Sequence, residues 1–474
     1  MRTLRLLPLL PLLATAAEHR RLFLDSLAVQ EQAGLERVFH RPVKFAGNPV
    51  IRSDTQWERG SSGPYLYGTV LRENGKLRMW YHFVKNGYRN AYAESLDGVH
   101  WTKPSLGIVE FEGSRDNNLF SGVTQDPGDD PPRKERGQCH NPSVIARPGQ
   151  PYAMFCYGAD WDKVRAAFSE DGLRWRFTPE SARQGLFPSS DVVNFFHDPY
   201  QDRFVATWKG STRRGRSVGI AWSKDGSEWT KPVDRPIFAA DDLDPTDTQF
   251  YGMPVFPYQG LYIGLPWVYH ANVHYAPEMK MTREEAEAGS PRTVDVQLAW
   301  SHDLLHWTRP PRREPFLPNG PSGAFDSAMI YTARAPVEMD GKLLFYYGGF
   351  DNRHDARQFN GAIGLASMRL DGFCSMRAGR SGGWLVTRRE ALDRPAVRIN
   401  AVTGPLGSVA AEILDVQGNA VPGFSRDECI PFSGDAVDRE LRWKTGTWPA
   451  DRVGKLHQIR FLLREADLFS YWPD

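Results

Sequence analysis

Cysteine is scarce in this chain. Cys139, Cys156, Cys374 and Cys429 are the only four in 474 residues, which excludes a scaffold built on disulfides. Cys139 and Cys156 flank an expected hairpin, and two states stay open for them: a pair formed in an oxidising compartment, or two buried free thiols. A surplus of charge is absent as well. With 58 basic against 57 acidic residues and a formal net charge of +1, the balance points to no nucleic-acid or other polyelectrolyte partner. Long apolar runs are missing except at the N-terminus, where Arg2 and Arg5 precede Leu6 to Leu13 and the small residues Ala14, Thr15 and Ala16. That order is the pattern of a secretory signal peptide over residues 1–16, too short to span a bilayer. The expectation is a secreted or periplasmic protein with no membrane association once the leader is removed.

What the chain does have is aromatic residues, 12% of the total, and repetition. Ser95, Asp97 and Trp101 recur at the same offsets as Ser169, Asp171 and Trp175, as Ser223, Asp225 and Trp229, and as Ser301, Asp303 and Trp307. Residues 367–373 form a degenerate fifth copy. Upstream of each copy, a tight turn near Asn74, Pro148, Gln201, Gln259 or Asp340 leads into a dense aromatic and aliphatic strand. Each unit therefore reads as four strands, the signature of a β-propeller blade, and five copies predict five blades. In the recurring turn the short polar side chains bond the backbone, Gly takes the positive φ, and Trp packs between blades. From about Ser381 the pattern changes to short strands divided by Gly and Pro turns. The predicted fold class is all-β: a five-bladed β-propeller over 17–380 and a small C-terminal β-sandwich over 381–474. Two irregular pieces interrupt it, a connection from Gly113 to Gly137 and a short helix within Pro277 to Gly289 capped by Thr282 and Glu285.

In such blades one face carries the long loops, and binding groups concentrate on loops held by a rigid scaffold. Here those loops hold Trp161, Arg216, Trp267, His270, Arg353 and His354, groups that stack on sugar rings or bond hydroxyls. The innermost strands enter from the same face, and their starts supply His140, Asn141, Asn194 and Tyr251 as further substrate-binding candidates. Four starts also supply a carboxylate: Glu58, Asp191, Asp247 and Asp326. Glycoside cleavage needs two carboxyl groups about the bond, one to give a proton and one to attack or activate water. Asp198, in a His-Asp-Pro sequence after its strand, reads instead as a turn residue on the opposite face.

The Ser-x-Asp-x-x-x-Trp spacing is typical of the arabinanase, invertase and levansucrase group of five-bladed glycosidases. The segments Asp247–Tyr258, Phe325–Tyr331 and Val421–Phe424 resemble exported bacterial proteins similar to the glycoside hydrolase family 32 N-terminal domain. The resemblance implies a glycosidase-like propeller with an attached β-sandwich. The Asn-Asp-Pro-Asn nucleophile motif of true invertases is missing, so the catalytic assignment rests on inner-strand position: Asp247 and Asp326 first, then Asp191 and Glu58. The leading expectation is an exported glycoside hydrolase acting on an oligo- or polysaccharide. Two alternatives stand beside it: a glycoside phosphorylase with Arg216, Arg353 and His354 on phosphate, and a non-catalytic carbohydrate-binding propeller. No metal-ligand spacing is present and no cofactor is expected; a structural ion in the funnel would draw on His140.

Overall fold

The computed structural model describes residues 19–120, 139–158, 163–178, 185–271, 290–444 and 446–473. The leader, the helix expected within 277–289, most of the 113–137 connection and Trp161 lie outside them. Among the described residues the fold is all-β, with a single 3-10 turn at Ala450–Arg452. None of their helices is long and apolar enough to cross a membrane.

The chain divides into two compact units. One is Arg41–Leu370; the other joins the residues up to His40 with those from Asp371 onward. This differs from the division expected at residue 380, because the strands Arg21–Leu22, Val29–Ala33 and Leu35–Phe39 pair with Lys455–Pro473, Gly383–Thr387 and Cys374–Ala378. A partner so distant in the chain leaves no local pattern to read. In this unit the short strands expected at 397–401 and 409–415 are halves of one long strand, Val397–Leu414, bent at bulges and paired along its length with Lys455–Pro473.

In the larger unit the strands follow one another as antiparallel sets. The first is Tyr65–Glu73, Lys76–Val84 and Tyr88–Ser95; the second is His140–Arg147, Gln150–Gly158, Lys163–Ser169 and Arg176–Phe177; the third is Val193–Asp198, Arg203–Thr212 and Gly215–Ser223. In the fourth, prolines interrupt the ladders. Pro254 and Pro266 lack an N–H, so Thr248–Gly252 and Val255–Tyr258 form one broken inner strand facing Leu261–Gly264 and Trp267–His270. Ala299–Ser301 and Trp307–Thr308 complete that set, and a single parallel bridge from Val294 to Met329 leads into the last one. There Met329–Thr332, Lys342–Phe350 and Gly361–Arg369 are closed on the outside by Val43–Lys44 from the start of the unit.

Neighbouring inner strands touch through specific bonds. Val144 N donates to Thr69 Oγ1 at 2.9 Å, Phe195 N to Ser143 Oγ at 3.2 Å, and Arg334 N to Gly68 O at 3.0 Å, so the last inner strand meets the first. The repeated turns lock each set to its predecessor. In each, the Ser hydroxyl accepts the amide three residues on, at 2.8 to 2.9 Å, and the Asp carboxylate accepts the next two amides. Tyr346 of the last set donates to Gly98 O at 2.8 Å in the first turn, Trp80 to Gly172 O at 2.7 Å in the second, and Trp229 of the third packs edge-on against Phe155 at 5.5 Å. The degenerate fifth copy works differently: Asp371 accepts Ser470 Oγ at 2.6 Å and pairs with Arg20 at 3.2 Å. Asp198, expected in the turn after its strand, is instead the last residue of that strand, fully buried and bonded to the turn amide Tyr200 N, to Tyr262 Oη and to Arg203.

Candidate functional site

The inner strands begin around a cavity of about 1150 Å³. Its floor is aromatic. The strand Tyr65–Glu73 places Tyr65 and Tyr67 on one face by its period of two, and Met329–Thr332 adds Tyr331. Tyr67 meets Tyr331 edge-on at 4.7 Å, Tyr331 lies 5.6 Å from Tyr251, and Tyr65 lies 5.3 Å from Phe350. Around this floor stand polar groups: Arg59, Tyr88, His140, Asp191, His354 and Arg357.

Asp191 is the one carboxylate among the described residues that line the cavity. Lys209, within the neighbouring strand Arg203–Thr212, reaches its Oδ1 at 2.6 Å, and Asn141 Nδ2 donates to its backbone carbonyl at 2.6 Å. Burial opposes charge on Asp191, but Lys209 and then His140 outweigh it and hold the carboxyl below its ordinary range. Its side chain is 44% exposed, so an ionised oxygen remains available to a ligand. His140 stacks on Tyr88 at 4.3 Å; burial holds its pKa down at about 4 against the pull of Asp191, so the ring is neutral at pH 7. Beside it His82 is fully buried, lowered first by burial and then by His140, and neither ring nitrogen has a hydrogen-bond partner among the described residues. Tyr251 and His354 share a 3.0 Å hydrogen bond, with Lys209 over the Tyr251 ring at 4.6 Å and Arg216 over Tyr269 at 4.6 Å.

The other three expected carboxylates stand elsewhere. Glu58 is fully buried and accepts from Lys103 at 2.6 Å, Tyr81 Oη at 2.8 Å and Thr55 Oγ1 at 2.8 Å, so its oxygens are spent on the fold. Asp326 is likewise buried, held by Lys44 at 2.6 Å and Tyr347 Oη at 2.9 Å. Asp247 lies 3.4 Å from His270 Nδ1, whose Nε2 is 2.8 Å from Asp295. Burial works against charge on His270, yet Asp295 and then Asp247 raise its pKa above the ordinary value. None of these three carboxylates lines the cavity.

Of the expected binding residues, His140, Tyr251 and His354 line the cavity. Asn141 and Asn194 are buried beside it, each with an amide atom lacking a partner among the described residues. Arg216 is engaged with Gln249 Oε1 at 2.8 Å. Trp267 is fully buried, donating to Thr332 Oγ1 at 3.2 Å, and serves packing. Arg353 is exposed, 3.6 Å from Asp355. Among the described residues no three His, Cys, Asp or Glu side chains are grouped so as to hold a metal ion. Cys139 and Cys156 form a disulfide with Cα atoms 5.4 Å apart, while Cys374 and Cys429 are free and buried.

No family model matches the chain. Two uncharacterized proteins of Mycobacterium tuberculosis are each 27% identical to it over 142 residues, 27% of this chain. The match spans 38% of each relative's own length. Among solved structures, a glycosyl hydrolase from Bacteroides ovatus is similar at 16% identity and a TM-score of 0.47, over 70% of this chain and 94% of that one. The β-1,2-mannobiose phosphorylase from Listeria innocua, solved with β-1,2-mannobiose, is similar at 12% identity and a TM-score of 0.47, over 70% of this chain and 97% of that one.

Sequence reasoning missed Lys209, Tyr65, Tyr67 and Tyr331. The strand start taken at Trp57 to Arg59 is a run of turns, and the strand begins at Tyr65. The available signal was the Tyr-Leu-Tyr alternation at 65–67, which aims two rings the same way.

Proposed function

We propose that Arg41–Leu370 is a five-bladed propeller of an exported carbohydrate-active enzyme. Its mouth cavity holds one end of an oligo- or polysaccharide and cleaves a glycosidic bond there, with Asp191 as the reacting carboxylate. The observation that carries the reading is the cavity's make-up: a floor of tyrosines, a neutral histidine, amides and arginines, and an ionised, half-exposed Asp191. Aromatic faces accept the apolar side of a sugar ring, and the surrounding donors and acceptors match hydroxyls.

Lys209 keeps Asp191 ionised, which suits attack on, or stabilisation of, a positive anomeric carbon rather than proton donation. A single carboxylate among cationic neighbours also favours a second reading, phosphorolysis. There Arg59, Arg357 and His354 would hold a phosphate monoanion that attacks the anomeric carbon and passes its proton to the leaving glycosidic oxygen, while the ionised Asp191 stabilises the positive carbon.

The test is product release from a panel of furanosidic and pyranosidic glycans, with and without phosphate, by wild type and Asp191→Asn. Release that Asp191→Asn abolishes with folding intact supports the assignment, and phosphate dependence decides between water and phosphate as acceptor. Undiminished release by the variant would overturn the role of Asp191. Binding without turnover by either protein would leave a carbohydrate-binding propeller.

A further inference from the structure

The inner strands have two ends, and the far end opens on a second cavity of about 810 Å³. The strand His140–Arg147 carries His140 at the first cavity and Arg147 at the second. Likewise Met329 and Tyr331 face the first, while Arg334, two residues past that strand, lines the second. His197, Phe256 and Tyr258 complete the wall from the third and fourth sets.

Arg334 is the unusual member. Its backbone is fixed by the bond to Gly68 O, yet its guanidinium forms no ion pair or hydrogen bond among the described residues, and its Nε is sealed from solvent without a partner. Burial alone lowers its pKa, to about 10, which still leaves it charged at neutral pH. Arg147 stands with it, its guanidinium 4.7 Å over the Phe204 ring and its Nε also sealed and unpartnered among the described residues. The carboxylates at this cavity are turned outward: Asp202 is 87% exposed and 3.1 Å from His197, and Glu338 is exposed. A guanidinium whose Nε is sealed from water, whose remaining edge faces a cavity and which has no counter-charge among the described residues is costly, and a planar fork of donors matches an oxyanion.

We propose that this second cavity is a binding site for a small oxyanion, a phosphate, sulfate or carboxylate group, gripped by Arg334 with Arg147 beside it. The site is separate from the saccharide cavity, since the two lie at opposite ends of the same strands.

The experiment is calorimetric titration and thermal melting of the whole protein with sodium phosphate, sodium sulfate and sodium acetate, at constant ionic strength set with chloride. At least one of the three should bind with one-to-one stoichiometry and raise Tm in proportion to log concentration. Tetrahedral anions against acetate identify the preferred group. Arg334→Gln should weaken that binding at least tenfold, and Arg147→Gln less. Arg334→Lys, which keeps the charge and loses the fork, should bind measurably but more weakly, and it serves if the glutamine variant does not fold. Equal responses in wild type and the Arg334 variants, or no response to any of the three anions, would overturn the proposal.

Discussion

The Ser-x-Asp turns and the starts of the inner strands sit at opposite ends of the same sheets, and they differ in kind. Four turns make the same bonds: a Ser hydroxyl to the third amide and an Asp carboxylate to the next two. The strand starts share nothing of the sort, with Tyr65 in one set, His140 in the next and Asp191 just ahead of a third. A group repeated in four sets does a job those sets share, locking onto the neighbour before it. A group present once is not accounted for by that shared job, and Tyr65, His140 and Asp191 line the cavity instead. The same contrast separates the carboxylates. Glu58 and Asp326 spend their oxygens on lysines and hydroxyls of the fold, whereas Asp191 keeps one side open to the cavity.

The sharpest way to break that contrast is to remove one carboxylate of each kind. Asp191→Asn is expected to lower turnover by about 10²- to 10⁴-fold with a smaller fall in melting temperature than Glu58→Gln, since the lost partner of Lys209 is half-exposed whereas that of Lys103 is fully buried. Steady-state rates beside circular dichroism melts check both halves. Glu58→Gln should do the reverse. It leaves Lys103 in a nearly buried position with only the exposed Asp54, at 2.5 Å, as counter-charge, and unfolding free energy should fall by about 2 kcal/mol in urea titrations. Lost turnover in a stable Glu58→Gln protein would place Glu58 with the chemistry after all.

How much of this was legible in the sequence follows from the same division. The turns were readable because four copies vote on one pattern and the bonding needs particular side chains at particular offsets. The antiparallel sets followed from them. The site was readable only where the residue beside the strand start was placed correctly. Asp191 and His140 sit within two residues of a strand start and line the cavity, although Asp191 was ranked below Asp247 and Asp326. Glu58 lies seven residues ahead of Tyr65, in turns that the sequence does not distinguish from a strand entry, and Asp326 lies three ahead of Met329, where it turns back onto Tyr347. Lys209 was missed because it comes from a second strand, and only the register Val193 to Trp208 brings its end to the mouth. The N-terminal strands were missed because their partners lie at the other end of the chain.

A finer test of the turns exploits their one exception. Gly98, Gly172 and Gly226 take φ values of +80°, +75° and +88°, whereas the fourth copy puts Leu304 there at +69°. Leu304 is fully buried against Val205, Tyr262 and their neighbours, so apolar burial outweighs the backbone cost of about 1 kcal/mol. Leu304→Gly should therefore destabilise by about 1–2 kcal/mol, the lost side chain exceeding the relieved backbone. Gly226→Ala should also destabilise by about 1–2 kcal/mol, because an L-residue at that φ is strained and its Cβ would come within 2.9 Å of the Phe155 ring. Urea midpoints of the two variants check this, and a stabilised Leu304→Gly protein would mean that the fourth turn is not held by its leucine.

The smallest expected effect concerns the charge on the turn aspartates. The Ser227 amide lowers Asp225 first, and other donors follow; burial opposes the shift at Asp171, but the amides of Arg174 and Leu173 outweigh it, and both carboxyls are held at about 2 against an ordinary 3.8. Their folded pKa is depressed, so their contribution is complete above the unfolded value and is lost as pH falls through the folded one. Wild type should therefore shed this part of its stability between about pH 4 and pH 2. Asp225→Asn, which cannot ionise, should melt slightly below wild type at pH 6 and converge on it toward pH 2. A deficit that stayed constant across the range would show that the turn uses the aspartate's shape and hydrogen-bonding oxygen alone, and that the recurrence of Asp over Asn in four copies owes nothing to charge.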